Sequence, residues 1–139
     1  MKPNYILDTC ALFSVLNKEV GAEIVIKVFA DSYTGNAILS IHQINLLEIY
    51  YNIFRYYSKT KADEVIQKIK SLPINIIAEI SEPLLKEAGR LKATHKISIA
   101  DSIALAETSI SGGTIITADH HEMDIVEQNE PNIKFLWIR

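Results

Sequence analysis

Residues 4–17 read "NYILDTCALFSVLN". The first half is a compact apolar run, Tyr5-Ile6-Leu7, that stops at an acid, Asp8. The second half sets Ala11, Leu12, Val15 and Leu16 at helical spacing. A short buried strand that hands over to a helix is the opening of a β-α unit, and the same phrase recurs along the chain. "AILSI" at 37–41 follows Gly35-Asn36 and precedes a long helical stretch, His42 to Tyr57, free of Gly and Pro. "INIIAEI" at 74–80 precedes a helix begun by Ser81-Glu82-Pro83, with the proline in the first turn where its missing N–H costs little. "TIITA" at 114–118 and "IKFLWI" at 133–138 supply two further strands. Additional helices are expected over "AEIVIKVFADSY" after Gly21, over Thr60 to Leu72 behind a capping-box-like "TKAD", and over Ser98 to Ile110, closed by Gly112-Gly113. This alternation predicts an α/β fold: a three-layer α/β/α sandwich with a mostly parallel central sheet of four or five strands. The length predicts one domain over residues 1–139.

In parallel sheets a ligand site lies beyond the carboxyl ends of the strands. Two strands here end in aspartate, Asp8 and Asp119. Two more acids sit where helices are otherwise apolar. Glu48 is the one charge between Asp31 and Arg55, and Asp101 is the one charge in "ISIADSIALA", 97–106. Each has an ordinary reading: a mid-helix glutamate usually faces water, and Ser98-Ile-Ala-Asp101 resembles a capping box whose acid favours the helix dipole. Taken together, four carboxylates in a small cleft repel one another and raise each other's pKa. A divalent cation relieves that repulsion. All-oxygen ligands select hard ions, Mg²⁺ or Mn²⁺ rather than zinc, and Mg²⁺ completes its shell with water and substrate phosphates.

The stretches "ILDTCAL", "LLEIYY", "IADSIALA" and "IITAD", with the closing "FLWIR", resemble in order and spacing the PIN-domain ribonucleases, and most of all the VapC toxins of toxin–antitoxin pairs. The resemblance spans essentially the whole chain. It implies that Asp8, Glu48, Asp101 and Asp119 form the acidic metal-binding and catalytic set, and that Thr9 and Thr117 bring hydroxyls near the metal. It implies hydrolysis of RNA phosphodiester bonds with Mg²⁺ or Mn²⁺, leaving a 5′-phosphate, and a cognate antitoxin as partner. Cys10 departs from the pattern, since Ser or Asn is commoner after the "DT" pair. The rival within the same fold is a PIN-like module that binds RNA or protein without cutting.

The net charge of −3 argues against a generally basic nucleic-acid binder, but the charge is unevenly spread. Residues 49–100 carry nine Lys or Arg against five Asp or Glu, whereas 101–139 carry two against seven. A basic middle suits a phosphate backbone beside an acidic centre; solvated helix faces are the plainer reading. A hydrophobic fraction of 48% with mean hydropathy +0.12 favours a partner or a second copy, hence a homodimer. One cysteine, no secretory leader and no run of ~18 apolar residues suit a cytoplasmic protein without a membrane span.

"HHEMD" at 120–124 lacks the second histidine of H-E-x-x-H, so a zinc site is not expected, and the pair His120-His121 reads as a turn after the strand. Asp124 reads as a helix-start residue, with an extra outer acid of the site as the lesser reading. The aromatic run "IYYNIFRYY" at 49–57 is expected partly in the core and partly at a subunit or antitoxin interface, with base stacking the lesser use. Cys10 reads as a small buried hydrophobe.

Overall fold

A computed structural model describes residues 1–139. The elements run β1 (Asn4–Leu7), α1 (Thr9–Leu16), α2 (Ala22–Tyr33), β2 (Ile38–His42), α3 (Gln43–Tyr56), α4 (Lys59–Lys70), β3 (Asn75–Ile77), α5 (Glu82–Thr94), α6 (Ile99–Ser111), β4 (Thr114–Thr117), α7 (His120–Asn129) and β5 (Lys134–Trp137). All five strands are parallel, in the order β3-β2-β1-β4-β5. The expected sheet is therefore found, parallel throughout and with all five strands.

Strand periodicity sorts the core into two layers. Leu7, Leu39, Ile41 and Ile116 point to one face, where they pack with Leu12, Val25, Val28 and the inner side of α3 and α4. Ile6 and Ile115, one residue out of phase, point to the other face and meet Leu84, Leu91, Leu105, Met123 and Val126. Helix α6 lies deepest, with Ala100 through Thr108 all buried. A helix apolar on every side belongs inside, and that carries Asp101 inward with it.

Local chemistry sets the helix ends. Ser58, Ser81 and Ser98 each cap the following helix by accepting a backbone N–H, from Lys61, Leu84 and Asp101. Helix α4 thus starts one residue before Thr60, and Asp63 serves not in a capping box but as partner to Lys59 (2.7 Å) and the Tyr50 hydroxyl (2.8 Å). The pair His120-His121, expected as a turn, opens a helix over 120–129. Asp119 caps it by accepting from Glu122 N (3.2 Å), an Asp-x-x-Glu opening that the two histidines obscured.

Gly21 precedes α2 at φ +95°, and a Cβ there would collide with the carbonyl oxygen of Ile138. Gly21→Ala combines left-handed strain with a backbone clash. It is expected to cost about 3 kcal/mol or more in urea unfolding, well beyond a surface Gly→Ala change. No helix is long and apolar enough to cross a membrane.

Candidate active site at the carboxyl edge of the sheet

The strand order reverses direction between β1 and β4, and a crevice opens there beyond their carboxyl ends. Asp8 and Asp119 follow those two neighbouring strands. Asp8 occupies the N-cap position of α1, yet its side chain makes no capping bond and stays free for other partners. It is 1% exposed and accepts a 2.7 Å hydrogen bond from Thr117 Oγ1. The same Thr117 oxygen accepts from the backbone N–H of Asp119 (3.0 Å), so one buried hydroxyl fixes both strand ends.

Asp101 stands in the first turn of α6, and Ser98 Oγ takes its backbone N–H (3.0 Å). The serine thus satisfies the helix end while the Asp101 carboxylate faces the other acids. Glu48 is half-buried on α3, which touches α6. A residue not among the expected set holds these segments together. Asn45, wholly buried one turn before Glu48, donates from Nδ2 to Ala100 O (3.2 Å) and Thr9 Oγ1 (3.4 Å), the neighbours of Asp101 and Asp8. Its Oδ1 has no hydrogen-bond partner. The signal was an amide in an apolar run, three residues ahead of Glu48 on the same helix face.

Asp8, Glu48, Asp101 and Asp119 all line one cavity of about 580 Å³, together with Glu19 and Glu122. No lysine or arginine lines it. Arg139 approaches at the rim and is engaged by Glu19 (2.8 Å) and by the carbonyl of Val20 (2.8 Å). The electrostatic consequence falls on the two most buried acids. Burial first, then the charges of Asp119 and Glu48, push Asp8 up to about 7 against the opposing bond from Thr117. Burial first, then Asp8, Asp119 and Glu48, push Asp101 up to about 8. These are carboxyl groups held near neutrality by desolvation and by one another.

Of the flanking hydroxyls, Thr117 is bonded into the site and Thr9 binds Asn45 while also lining the cavity. Cys10 is half-buried in the cavity wall rather than enclosed in the core, and burial, then the Asp8 charge, push its thiol up to about 11. Such a thiol is a poor nucleophile. His120 turns away from the cavity. Its two ring nitrogens face acceptors, Asp124 Oδ1 (2.7 Å) and Arg139 O (2.8 Å), and the ring stacks on Trp137 at 3.9 Å. Asp124 is therefore a partner of His120 inside α7, not a helix-start residue.

No three Asp, Glu, His or Cys side chains close tightly enough to hold an ion by themselves. An ion of the zinc type, caged by four protein ligands, does not suit this geometry. A hard ion that takes one or two carboxylates and fills its remaining positions with water and phosphate does.

The PIN domain family model matches residues 5–127. The chain belongs to the PIN domain family. No curated protein matches it by sequence. Among solved structures this PIN domain superposes on a chain of VapBC2 from Rickettsia felis bound to a DNA fragment from its promoter, with TM-score 0.73 and 19% identity over 96% of this chain and 97% of that one. DNA-bound VapBC from Salmonella typhimurium gives TM-score 0.74 and 16% identity over 100% of both chains. FitAcB from Neisseria gonorrhoeae gives 0.67 and 14% over 96% and 97%. At these identities the likeness is one of fold.

Proposed function

We propose that this PIN domain is a metal-dependent ribonuclease, the toxin of a VapBC-type toxin–antitoxin pair. The observation that carries the reading is the burial of Asp8 and Asp101, both pushed far above the usual carboxylate range, in a cavity lined by further acids and by no basic side chain. Desolvated, mutually repelling carboxylates are costly to keep, and a structural role would be served better by neutral residues.

In this reading Asp8, Asp101, Glu48 and Asp119 hold Mg²⁺ or Mn²⁺, directly or through water. The bound ion would polarise the scissile phosphate and supply an activated water for in-line attack. Thr117 holds the Asp8 carboxylate in place and anchors the backbone at Asp119, while Asn45 keeps the three segments bearing Asp8, Glu48 and Asp101 in register. Glu48 and Asp119 are less enclosed than Asp8 and Asp101, which suits ligands that also meet water and substrate. In this reading the carboxylates place the metal, and the attack on phosphorus falls to water.

The toxin half of the proposal draws on the shared fold with the VapBC chains and with a chain of a toxin–antitoxin complex from Klebsiella pneumoniae (TM-score 0.67, 16% identity over 97% of this chain and 98% of that one), and on uncovered apolar surface. Leu47, Tyr51 and Phe54 form an exposed stripe on α3 at helical spacing, 56%, 42% and 49% accessible. An antitoxin or a second copy would cover such a stripe.

The test is cleavage of total RNA and of end-labelled RNA hairpins with Mg²⁺ or Mn²⁺, repeated with EDTA. Cutting that yields 5′-phosphate ends and stops on chelation is expected. Cutting that persists in EDTA, or the absence of cutting with either ion, would overturn the reading.

A further inference from the structure

The cavity has two unlike walls. One carries the carboxylates. The other is made of Phe13 from α1 and Ile53, Tyr56 and Tyr57 from the end of α3, with the amides of Asn17 and Asn52 at its edge. We propose that this second wall is a nucleobase subsite, in which Tyr56 and Tyr57 stack an unpaired base of the strand whose phosphate lies on the acids. The proposal rests on the ribonuclease reading above and names the part of the substrate that the cavity grips.

The aromatic run on α3 divides cleanly. Tyr50 gives its hydroxyl to Asp63 (2.8 Å) and its ring to Phe54 at 6.0 Å, and Tyr51 carries the Arg55 guanidinium over its ring at 5.5 Å. Tyr56 and Tyr57 have no aromatic ring or guanidinium against them, and their hydroxyls make no hydrogen bond within the chain. They are 71% and 72% exposed, and they are the two tyrosines that border the acidic cavity. Core packing explains neither.

Spacing on the helix supports the assignment. Glu48, Asn52 and Tyr56 recur every four residues on one face of α3, so about 12 Å of helix runs from carboxylate to amide to ring. That order sets a phosphate at the carboxylates and a base at the rings, with the amide between them at the base edge. Asn52 commits its Nδ2 to the carbonyl of Glu48 (2.8 Å) and Asn17 commits its own to Glu19 (3.3 Å). Each keeps its carbonyl oxygen for an amino group on the edge of a base.

Electrostatics requires such a wall. A cavity lined by acids and by no lysine or arginine repels a polyanion, so affinity for RNA there has to come from uncharged surface or from bound cations. Stacking on an aromatic ring contributes ~1–3 kcal/mol per base and tolerates any sequence, because every base has a π-face. A paired base is held inside its helix and cannot reach the rings, so the subsite selects loops and unpaired ends.

The experiment uses the full chain with Asp101→Asn, in Mg²⁺, so that binding is read without cleavage. Fluorescence anisotropy compares an RNA hairpin carrying a single-stranded loop with a blunt RNA duplex of equal length. The loop is expected to bind about tenfold or more tightly. Adding Tyr56→Ala and Tyr57→Ala erases that preference, and Trp at both positions restores it. Both sites are too exposed for alanine to threaten the fold. Loop binding unchanged by the alanine pair overturns the subsite, and loss of self-association in the same variant would then assign the two rings to a protein interface. The two readings fail separately. A wild-type chain that never cuts RNA while the tyrosine dependence holds removes the nuclease reading alone, and a chain that cuts RNA with no tyrosine dependence removes the subsite alone.

Discussion

Asp101→Asn is expected to abolish RNA cleavage, by about 10³-fold, while raising the melting temperature of the metal-free protein. The two halves of this result belong together. Removing one preorganised charge from a site that stabilises a transition state costs a factor of that order. Removing the same charge from a desolvated, acid-lined cavity should stabilise the fold. Asp101 is 6% exposed, and burial together with Asp8, Asp119 and Glu48 opposes its ionisation. Asparagine keeps the shape, carries no charge, and can donate to a neighbouring carboxylate. A gain on the order of 2 kcal/mol, or about 5 °C for a chain of this size, is a conservative share of what the raised pKa implies.

The competing role for Asp101 is helix capping, and magnitudes decide against it as the main role. The cap is Ser98, whose hydroxyl accepts the Asp101 backbone N–H and would survive the substitution. A carboxylate in the first turn adds ~0.5 kcal/mol through the helix dipole, less than the desolvation it suffers here. Differential scanning fluorimetry in EDTA, read beside a cleavage assay in Mg²⁺, separates the two. A fall in melting temperature with cleavage intact would make Asp101 a capping residue and nothing more.

Much of this site was legible because its residues violate local rules. Glu48 and Asp101 stood out as charges inside apolar helical runs, and Asp8 and Asp119 as acids ending strands. The parallel topology then dictates that strand ends share one edge. What was not legible depends on distance in the chain. The pairing of Thr117 with Asp8 spans 109 residues and that of Asn45 with Ala100 spans 55. No local pattern encodes either. The start of helix α7 was placed too late, at Asp124, because the two histidines of its first turn read as a turn, while Asp119 and Glu122 supplied an ordinary helix start. The division of the tyrosines was equally invisible. Tyr56 and Tyr57 differ from Tyr50 and Tyr51 only in where the last turn of α3 points them.

Conflict between stability and function also fixes the expected response to pH and metal. Asp8 and Asp101 have folded-state pKa values raised to about 7 and about 8 from 3.8, so between pH 4 and 8 the folded chain holds protons that the unfolded chain has released. Stability of the metal-free protein therefore falls as pH rises through that window. Glu87 and Glu130, whose pKa values are lowered chiefly by hydrogen bonds from Arg90, act in the opposite sense, and their stabilisation is lost only as pH drops below the ordinary carboxylate range. The interval from about pH 5.5 to 8 therefore separates the raised pair from them, and Glu107, raised by burial, adds to the same slope from outside the cavity. His120, raised by its bond to Asp124, works in the same direction as the pair, since its contribution is also lost as pH climbs, but it lies outside the cavity and does not respond to a cation bound there. In the proposed reading, a bound Mg²⁺ or Mn²⁺ would replace the lost protons. At pH 8 a hundredfold excess over the dissociation constant should restore about 2.7 kcal/mol, roughly 6–10 °C in melting temperature. At pH 5.5, where protons already occupy the site, the same addition should do little. NaCl of matched ionic strength controls for screening, and Asp101→Asn should reduce the pH slope to the share left by Asp8, Glu107 and His120 and weaken the metal response. A shift that is equal at the two pH values, or that NaCl reproduces, would mean that the cation acts on the surface, and that the buried acids are not where it binds.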